Sequence, residues 1–260
     1  DILAEVRTLA AHGVKEVTLL GQNVNSYGKR LGNGHSFSEL LRAIGEIEGI
    51  ERIRFTTSHP KDLTDDIIDC FRAVKALCAS IHLPVQSGSD AVLARMNRRY
   101  TSADFLDCIR KLREASPDIA ISSDIIVGFP GETEQDYQKT LDLMGKVRFD
   151  TLFSFQYSER KGTAAVGLDG KVNPDEKRKR LIDLQALQDR HTQEKNDTLV
   201  GRTVEVLVEG TSRKTSRDVM GRTRSNKIVN FTGGRDLVGK TVRVRIVEAF
   251  LHSLRGEMLD

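Results

Sequence analysis

No stretch of the sequence reaches the run of about 18 apolar residues that a membrane span needs, although 38% of its 260 residues are apolar. No basic segment followed by an apolar one stands at the start, so nothing marks the chain for secretion. The chain opens on Asp1 rather than Met, inside a repeating pattern. We therefore expect a fragment or processed chain, working in the cytoplasm without a membrane partner.

Cysteine is scarce. Cys70, Cys78 and Cys108 are too few and too irregular for a disulfide framework. Their spacing matches neither paired CxxC zinc ligands nor a CxxxCxxC cluster loop. Cys70 shares a helical face with Ile67 and Val74, and Cys108 with Phe105 and Leu112, so we expect small buried apolar residues. Phosphate loops are missing as well: there is no GxxxxGK[ST] and no GxGxxG. His59 and His82 lack an acidic or cysteine neighbour at ligand spacing, and His82 falls within a strand pattern, where a packing role is expected. No Ser/His/Asp arrangement stands out, so no catalytic residue and no metal ligand is nominated.

Charge is unevenly spread. The net charge is +3, yet residues 201–260 hold 12 Lys and Arg against 7 Asp and Glu, while the remainder holds 28 against 30. A basic small region beside a near-neutral larger one suggests an anionic partner for the small region.

Over the first 160 residues, strand-like runs (Glu16–Leu20, Ile53–Thr57, Ser80–Val85, Ile119–Gly128, Thr151–Tyr157) alternate with capped amphipathic stretches. Thr101 with Asp104, and Thr133 with Asp136, mark two helix starts. Alternation of this kind means βα units and a parallel sheet. The series opens on a helix, Ile2 to Ala11, so a preceding strand is expected; five strands and that one make six, an open partial barrel. A charged helix follows from Asp175 to about Lys195; its Lys177–Arg180 run is either a nucleic-acid contact or a solvated face. From Gly201 the period changes to two, over Thr203–Glu209, Val219–Phe231 and Thr241–Ala249, which reads as a small antiparallel barrel of OB-like size. The expected division is 1–198 and 199–260.

Parallel βα folds bind ligands at the carboxyl ends of their strands. Here those ends carry Gly21-Gln22-Asn23-Val24-Asn25-Ser26-Tyr27-Gly28, Thr56-Thr57-Ser58-His59-Pro60, His82-Leu83-Pro84-Val85-Gln86-Ser87-Gly88-Ser89, Asp124-Ile125-Ile126-Val127-Gly128-Phe129-Pro130-Gly131-Glu132 and Phe155-Gln156-Tyr157-Ser158-Glu159. All five are small, polar and hydrogen-bonding, whereas the opposite ends read as unremarkable. That one-sided loading suggests a cleft for a nucleoside-like ligand. Gly128 and Gly131 suit backbone passing close to a flat ring.

These motifs, together with Met96-Asn97-Arg98-Arg99-Tyr100, closely resemble the radical S-adenosylmethionine (SAM) methylthiotransferases over the whole chain. The stretch around Gly221-Arg222-Thr223-Arg224-Ser225-Asn226-Lys227 resembles the TRAM domain, an RNA-binding barrel that ends those proteins. Within the family, GQNVNSY resembles the branch that makes 2-methylthio-N6-isopentenyladenosine in tRNA. The resemblance implies an α/β fold, a partial (βα)6 radical SAM barrel missing its first strand, followed by a small all-β TRAM barrel. It implies S-adenosylmethionine and [4Fe–4S] clusters as cofactors, with methylthiolation at C2 of an isopentenylated adenosine beside the anticodon. The partners implied are the tRNA anticodon stem-loop and an electron donor for cluster reduction. Neither the CxxxCxxC loop nor the further cluster cysteines is present in this sequence, so the fragment is expected to be inactive alone.

By position, Gln22 and Asn23 would hold the methionine end of SAM. Ser58, Gln86 and Ser87 would face its ribose. The segment Asp124, Gly128, Phe129 and Gly131 would flank its adenine, with Glu132 one residue out of register. Arg98 is a candidate for a carboxylate or a phosphate. RNA contacts fall to Arg213, Lys214, Arg217, Arg222, Arg224 and Lys227, six cations in a 15-residue window with one acid, Asp218. Arg222 and Arg224, two apart on a strand-like run, should project from one face. Two other readings compete: a methylthiotransferase acting on ribosomal protein S12 or another modified adenosine, and a non-enzymatic RNA-binding module.

Overall fold

The computed structural model describes residues 1–28, 35–56, 58–212 and 217–259. Two layers of α/β structure come first. Helix α1 (Ile2–Ala11) begins where the Asp1 carboxylate accepts a bond from the Leu3 amide, and it leads into β1 (Glu16–Leu19). Helix α2 (Phe37–Gly45) precedes β2 (Arg52–Phe55), and α3 (Asp65–Ala73) precedes β3 (Ser80–His82). Helices α4 (Asp90–Arg95) and α5 (Ser102–Ala115) lead to β4 (Ala120–Val127), and α6 (Glu134–Val147) to β5 (Thr151–Gln156). Capping boxes start three of the helices, Ser36 with Glu39, Thr101 with Asp104 and Thr133 with Asp136, each satisfying two otherwise orphaned amides.

All five strands run parallel. Glu16 to Leu19 pair with Arg52 to Phe55, Ser80 to His82 with Ala120 to Ser122, and Ser122 to Val127 with Thr151 to Gln156. The bridge Ile53↔Leu77 joins the two ladders into one curved wall. One face of each strand packs under the helices in a core that includes Leu41, Ile53, Phe105, Ile121, Ile125 and Phe149. The other face lines the barrel interior: Ser122, Asp124 and Ile126 on β4, Phe153 and Phe155 on β5.

Helix α7 (Pro174–Asp197) starts at Asn173, whose side chain accepts from the Asp175 amide, with Pro174 in the first turn. It packs along β5 and delivers the chain to a second core built on Val206, Val219, Phe231 and Ile246. That core belongs to a closed five-stranded barrel, β6 (Thr203–Thr211), β7 (Asp218–Thr223), β8 (Ile228–Thr232), β9 (Thr241–Ala249) and β10 (Leu254–Met258), in the order β10-β8-β7-β6-β9. The run expected as one strand from Val219 to Phe231 is two. Asn226, at φ +64°, turns the chain between β7 and β8.

Candidate functional site

The carboxyl ends of β3, β4 and β5 open into a cavity of about 660 Å³. Gln86, Asp124, Ile126, Phe129, Phe155 and Tyr157 form its walls, and Met96, Arg98, Arg160 and Ala164 its mouth. Gln86 is held in a left-handed conformation, φ +71°, and is almost fully buried. Its amide donates to the Asp124 carbonyl and its carbonyl accepts from the Ile126 amide, so β4 fixes the strain in place. A non-glycine residue kept in that region at a cavity wall is the kind of strain found at ligand sites. Phe129 meets Tyr157 edge to face, with ring centroids 4.9 Å apart. The Tyr157 hydroxyl is buried with no hydrogen-bond partner among the described residues.

Below Gln86, the interior holds a polar pair. His82 Nε2 lies 3.4 Å from Asp124 Oδ1, while its Nδ1 is 3.0 Å from Ser122 Oγ and its ring packs on Phe153. The acidic partner that sequence spacing denied to His82 comes from the neighbouring strand.

Gln22 is exposed, and Asn23 donates from Nδ2 to Asp62 across 2.6 Å while its Oδ1 is buried without a partner. Ser58 also presents a buried, unpartnered hydroxyl after β2. Ser87, by contrast, is turned away from the cavity: its hydroxyl shares a bond with Thr140 and accepts the Ser89 amide beneath α6. Strand alternation puts Ser87 on the helix-facing side with Leu83 and Val85, while Gln86 shares the interior side with His82. Gly128 and Gly131 keep their positive φ, +70° and +85°, but what crowds them is the chain itself. A Cβ at Gly128 would sit 2.1 Å from Lys177 Cγ, and one at Gly131 2.6 Å from Arg95 Nε. Arg95 donates to the Pro130 and Asp169 carbonyls. Glu132 is no ligand contact. It accepts from the Gly128 amide at 2.8 Å and from Arg180 at 2.7 Å, bracing the loop against α7. Of the Lys177–Arg180 run, Arg180 is buried in that pair and Lys177 donates to the Tyr157 carbonyl; Arg178 and Lys179 stay exposed.

At the amino ends of the strands the structure departs furthest from expectation. The small barrel docks there. Arg54 donates to the Thr223 carbonyl at 2.8 Å and the Arg224 carbonyl at 3.2 Å; Arg52 donates to the carbonyls of Arg222 and Glu205. Arg224 lies past the end of β7, and its guanidinium returns the contact, donating to the Lys75 and Leu77 carbonyls. Lys227 lies 3.4 Å from Asp150, which also binds Lys195 at 2.6 Å. Arg222 pairs with Glu209 at 3.3 Å. Arg222 and Arg224 therefore do not form one outward face: the turn after Thr223 sends Arg224 into the seam. Arg217 is exposed, and Arg213 and Lys214 lie outside the described residues. The two arginines alternating through an apolar strand, Arg52-Ile53-Arg54-Phe55, were the signal for this seam.

Cys70 and Cys78 are buried, Cys108 half-buried, and burial pushes all three thiols up from their ordinary range. Among the described residues no three His, Cys, Asp or Glu side chains group as metal ligands, so the residues present do not fit an iron–sulfur cluster. No helix of the described residues is long and apolar enough to cross a membrane.

Residues 1–144 match the radical SAM superfamily and residues 197–259 the TRAM domain. A tRNA-2-methylthio-N(6)-dimethylallyladenosine synthase of Syntrophus aciditrophicus is 58% identical, covering 100% of this chain and 56% of that protein. The protein of the same name from Acetivibrio thermocellus is 52% identical, covering 100% and 54%. The chain thus spans a little over half the length of these curated relatives. Among solved structures, a coproporphyrinogen III oxidase from Escherichia coli, described as a radical SAM enzyme, shares the fold with a TM-score of 0.56 at 14% identity, over 94% of this chain and 59% of that one.

Proposed function

The chain belongs to the radical SAM superfamily and closes with a TRAM domain, and on that premise we propose that it serves in the methylthiolation of tRNA, at C2 of an isopentenylated adenosine beside the anticodon. The observation that carries this reading is the cavity at the carboxyl ends of the strands, with a strained Gln86, the Asp124 carboxylate and an unpartnered Tyr157 hydroxyl in its walls. Those groups fit S-adenosylmethionine: the Gln86 amide as donor and the Asp124 carboxylate as acceptor for a ribose diol, and the aromatic faces of Phe129 and Tyr157 for an adenine. Arg98, half-buried at the mouth without a carboxylate partner among the described residues, suits the carboxylate of the methionine end. When bound, S-adenosylmethionine supplies the hydrogen-abstracting power of the reaction. Gln86 and Asp124 fix its ribose, and the apolar walls Ile126 and Phe155 exclude water. No step is assigned to an iron–sulfur cluster from these residues. The names of the relatives and the TRAM match support tRNA as the substrate; an electron donor and a cytoplasmic setting belong to the same proposal.

The test is nucleoside mass spectrometry of tRNA from cells lacking the gene. The 2-methylthio group should vanish while the isopentenyl group stays, and a Gln86→Ala copy should restore at most a small fraction of it. An unchanged tRNA profile would overturn the substrate.

A further inference from the structure

We propose that the cationic rim of the cleft, Arg99, Arg160 and Lys161 beside Arg98, is the grip for the phosphates of a single-stranded RNA loop whose target base enters the cavity. Arg98 and Arg160 line the same 660 Å³ cavity, from the turn that follows α4 and from the segment after β5, and Arg99 and Lys161 adjoin them in sequence. None of the four side chains has a carboxylate partner among the described residues. The acid beside them, Glu159, is taken by Lys171 at 2.6 Å. Arg99, Arg160 and Lys161 are all exposed. Of the six basic residues that composition nominated, three are neutralised or turned inward, Arg222 on Glu209, Lys227 on Asp150 and Arg224 on carbonyls of the seam, while Arg217 is exposed. At the cleft mouth, four cations stand together without an acidic partner among the described residues.

Such charge, around a cavity large enough for a nucleoside, fits the backbone of an unpaired loop. Behind the rim, Phe155 is 54% exposed and turns its ring into the cavity, a face on which a base can stack. Double-stranded RNA fits poorly, because its bases are not splayed out to enter a pocket. The assignment rests on the RNA substrate proposed above and adds the residues that hold it.

The experiment uses this chain with a synthetic anticodon stem-loop RNA, titrated from about 50 to 200 mM salt. Arg99→Ala, Arg160→Ala and Lys161→Ala together should lower low-salt affinity at least tenfold and flatten the slope of log K against log salt by about 2 units, at roughly 0.7 for each single-strand phosphate that is no longer neutralised. S-adenosylmethionine binding, read by calorimetry, should not change, since Arg98 is kept. The conservative Arg160→Lys should retain most of the slope, which a purely structural role would not predict. If wild type binds the stem-loop and the triple variant matches it in affinity and slope, the rim is overturned alone. If wild type fails to bind RNA at any salt, the rim and the tRNA reading fall together.

Discussion

Replacing Arg54 by Met would test whether the small barrel is a fixed floor of the larger one or a tethered appendage. Arg54 is nearly buried and makes four hydrogen bonds: to Glu16 Oε1 at 3.0 Å, Ser80 Oγ at 2.9 Å, and the Arg224 and Thr223 carbonyls. Met keeps the length and apolar bulk but leaves the Glu16 carboxylate facing the interior, where its Oε2 already lacks a hydrogen-bond partner. Breaking a buried ion pair costs about 3–5 kcal/mol. The Glu16 side chain is 20% exposed, so water relieves part of this and the lower end, about 3 kcal/mol, is expected. At 2–4 °C per kcal/mol for a chain of this size, Tm should fall by roughly 6–12 °C. Arg54→Lys retains the charge but not the fork that reaches two carbonyls, and should fall between the two. Scanning calorimetry should show one transition in wild type and a broadened or split one in Arg54→Met. Limited proteolysis should cut faster between Asp197 and Thr203. A drop below about 2 °C with unchanged proteolysis would refute the floor.

Two further outcomes follow from the same geometry. Gly128→Ala should cost about 2–4 kcal/mol in denaturant unfolding, from the left-handed backbone and the 2.1 Å approach to Lys177; adding Lys177→Ala should recover the packing part only, and full recovery or none would overturn the assignment. Asp136 is opposed by burial, but bonds from Ser89 and from the hydroxyl and amide of Thr133 outweigh it and hold the carboxyl at about 2. Its pKa is below the unfolded value of 3.8, so its stabilisation of about 2 kcal/mol is present above pH 4 and lost as pH falls toward 2. Asp136→Asn should flatten the urea stability profile in that window, and an identical profile would remove Asp136 from the account.

Local chemistry explains what the sequence made legible. Helix α1 runs from Ile2 to Ala11 and β9 from Thr241 to Ala249, as the patterns predict, because caps and strict alternation are encoded within each segment. Strand β10 went unread because its pairing, parallel to β8 and antiparallel to β9, depends on closure of the barrel rather than on its five residues. In the site, the strand-end rule found Gln86, Asp124 and Phe129, which all line the cavity. It assigned Ser87 to the cavity beside Gln86, although neighbouring strand residues face opposite sides and Ser87 bonds Thr140 beneath α6. It also counted Arg224 and Lys227 as free charge. Whether a cation is free is a tertiary fact, set here by Asp150 and by carbonyls some 150 residues away in sequence.

The two ends of the barrel solve opposite electrostatic problems. Arg52 and Arg54 both face inward from β2, and among the described residues Glu16 is the one carboxylate that answers them, 3.9 Å from Arg52 and 3.0 Å from Arg54. Two guanidiniums against one carboxylate would leave buried charge in excess. Carbonyl groups of the small barrel supply the remaining acceptors without adding charge, so docking satisfies the arginines and leaves the interior free of extra carboxylates. A chamber of about 390 Å³ remains above that floor, bounded by Thr18, Thr56, His82 and Asn226. The seam therefore fixes the small barrel at the amino ends of the strands, while the carboxyl ends keep a polar wall and a cationic mouth. An RNA loop held at that mouth meets a cavity whose floor is positioned by backbone dipoles, which salt screens far less than it screens the phosphate grip.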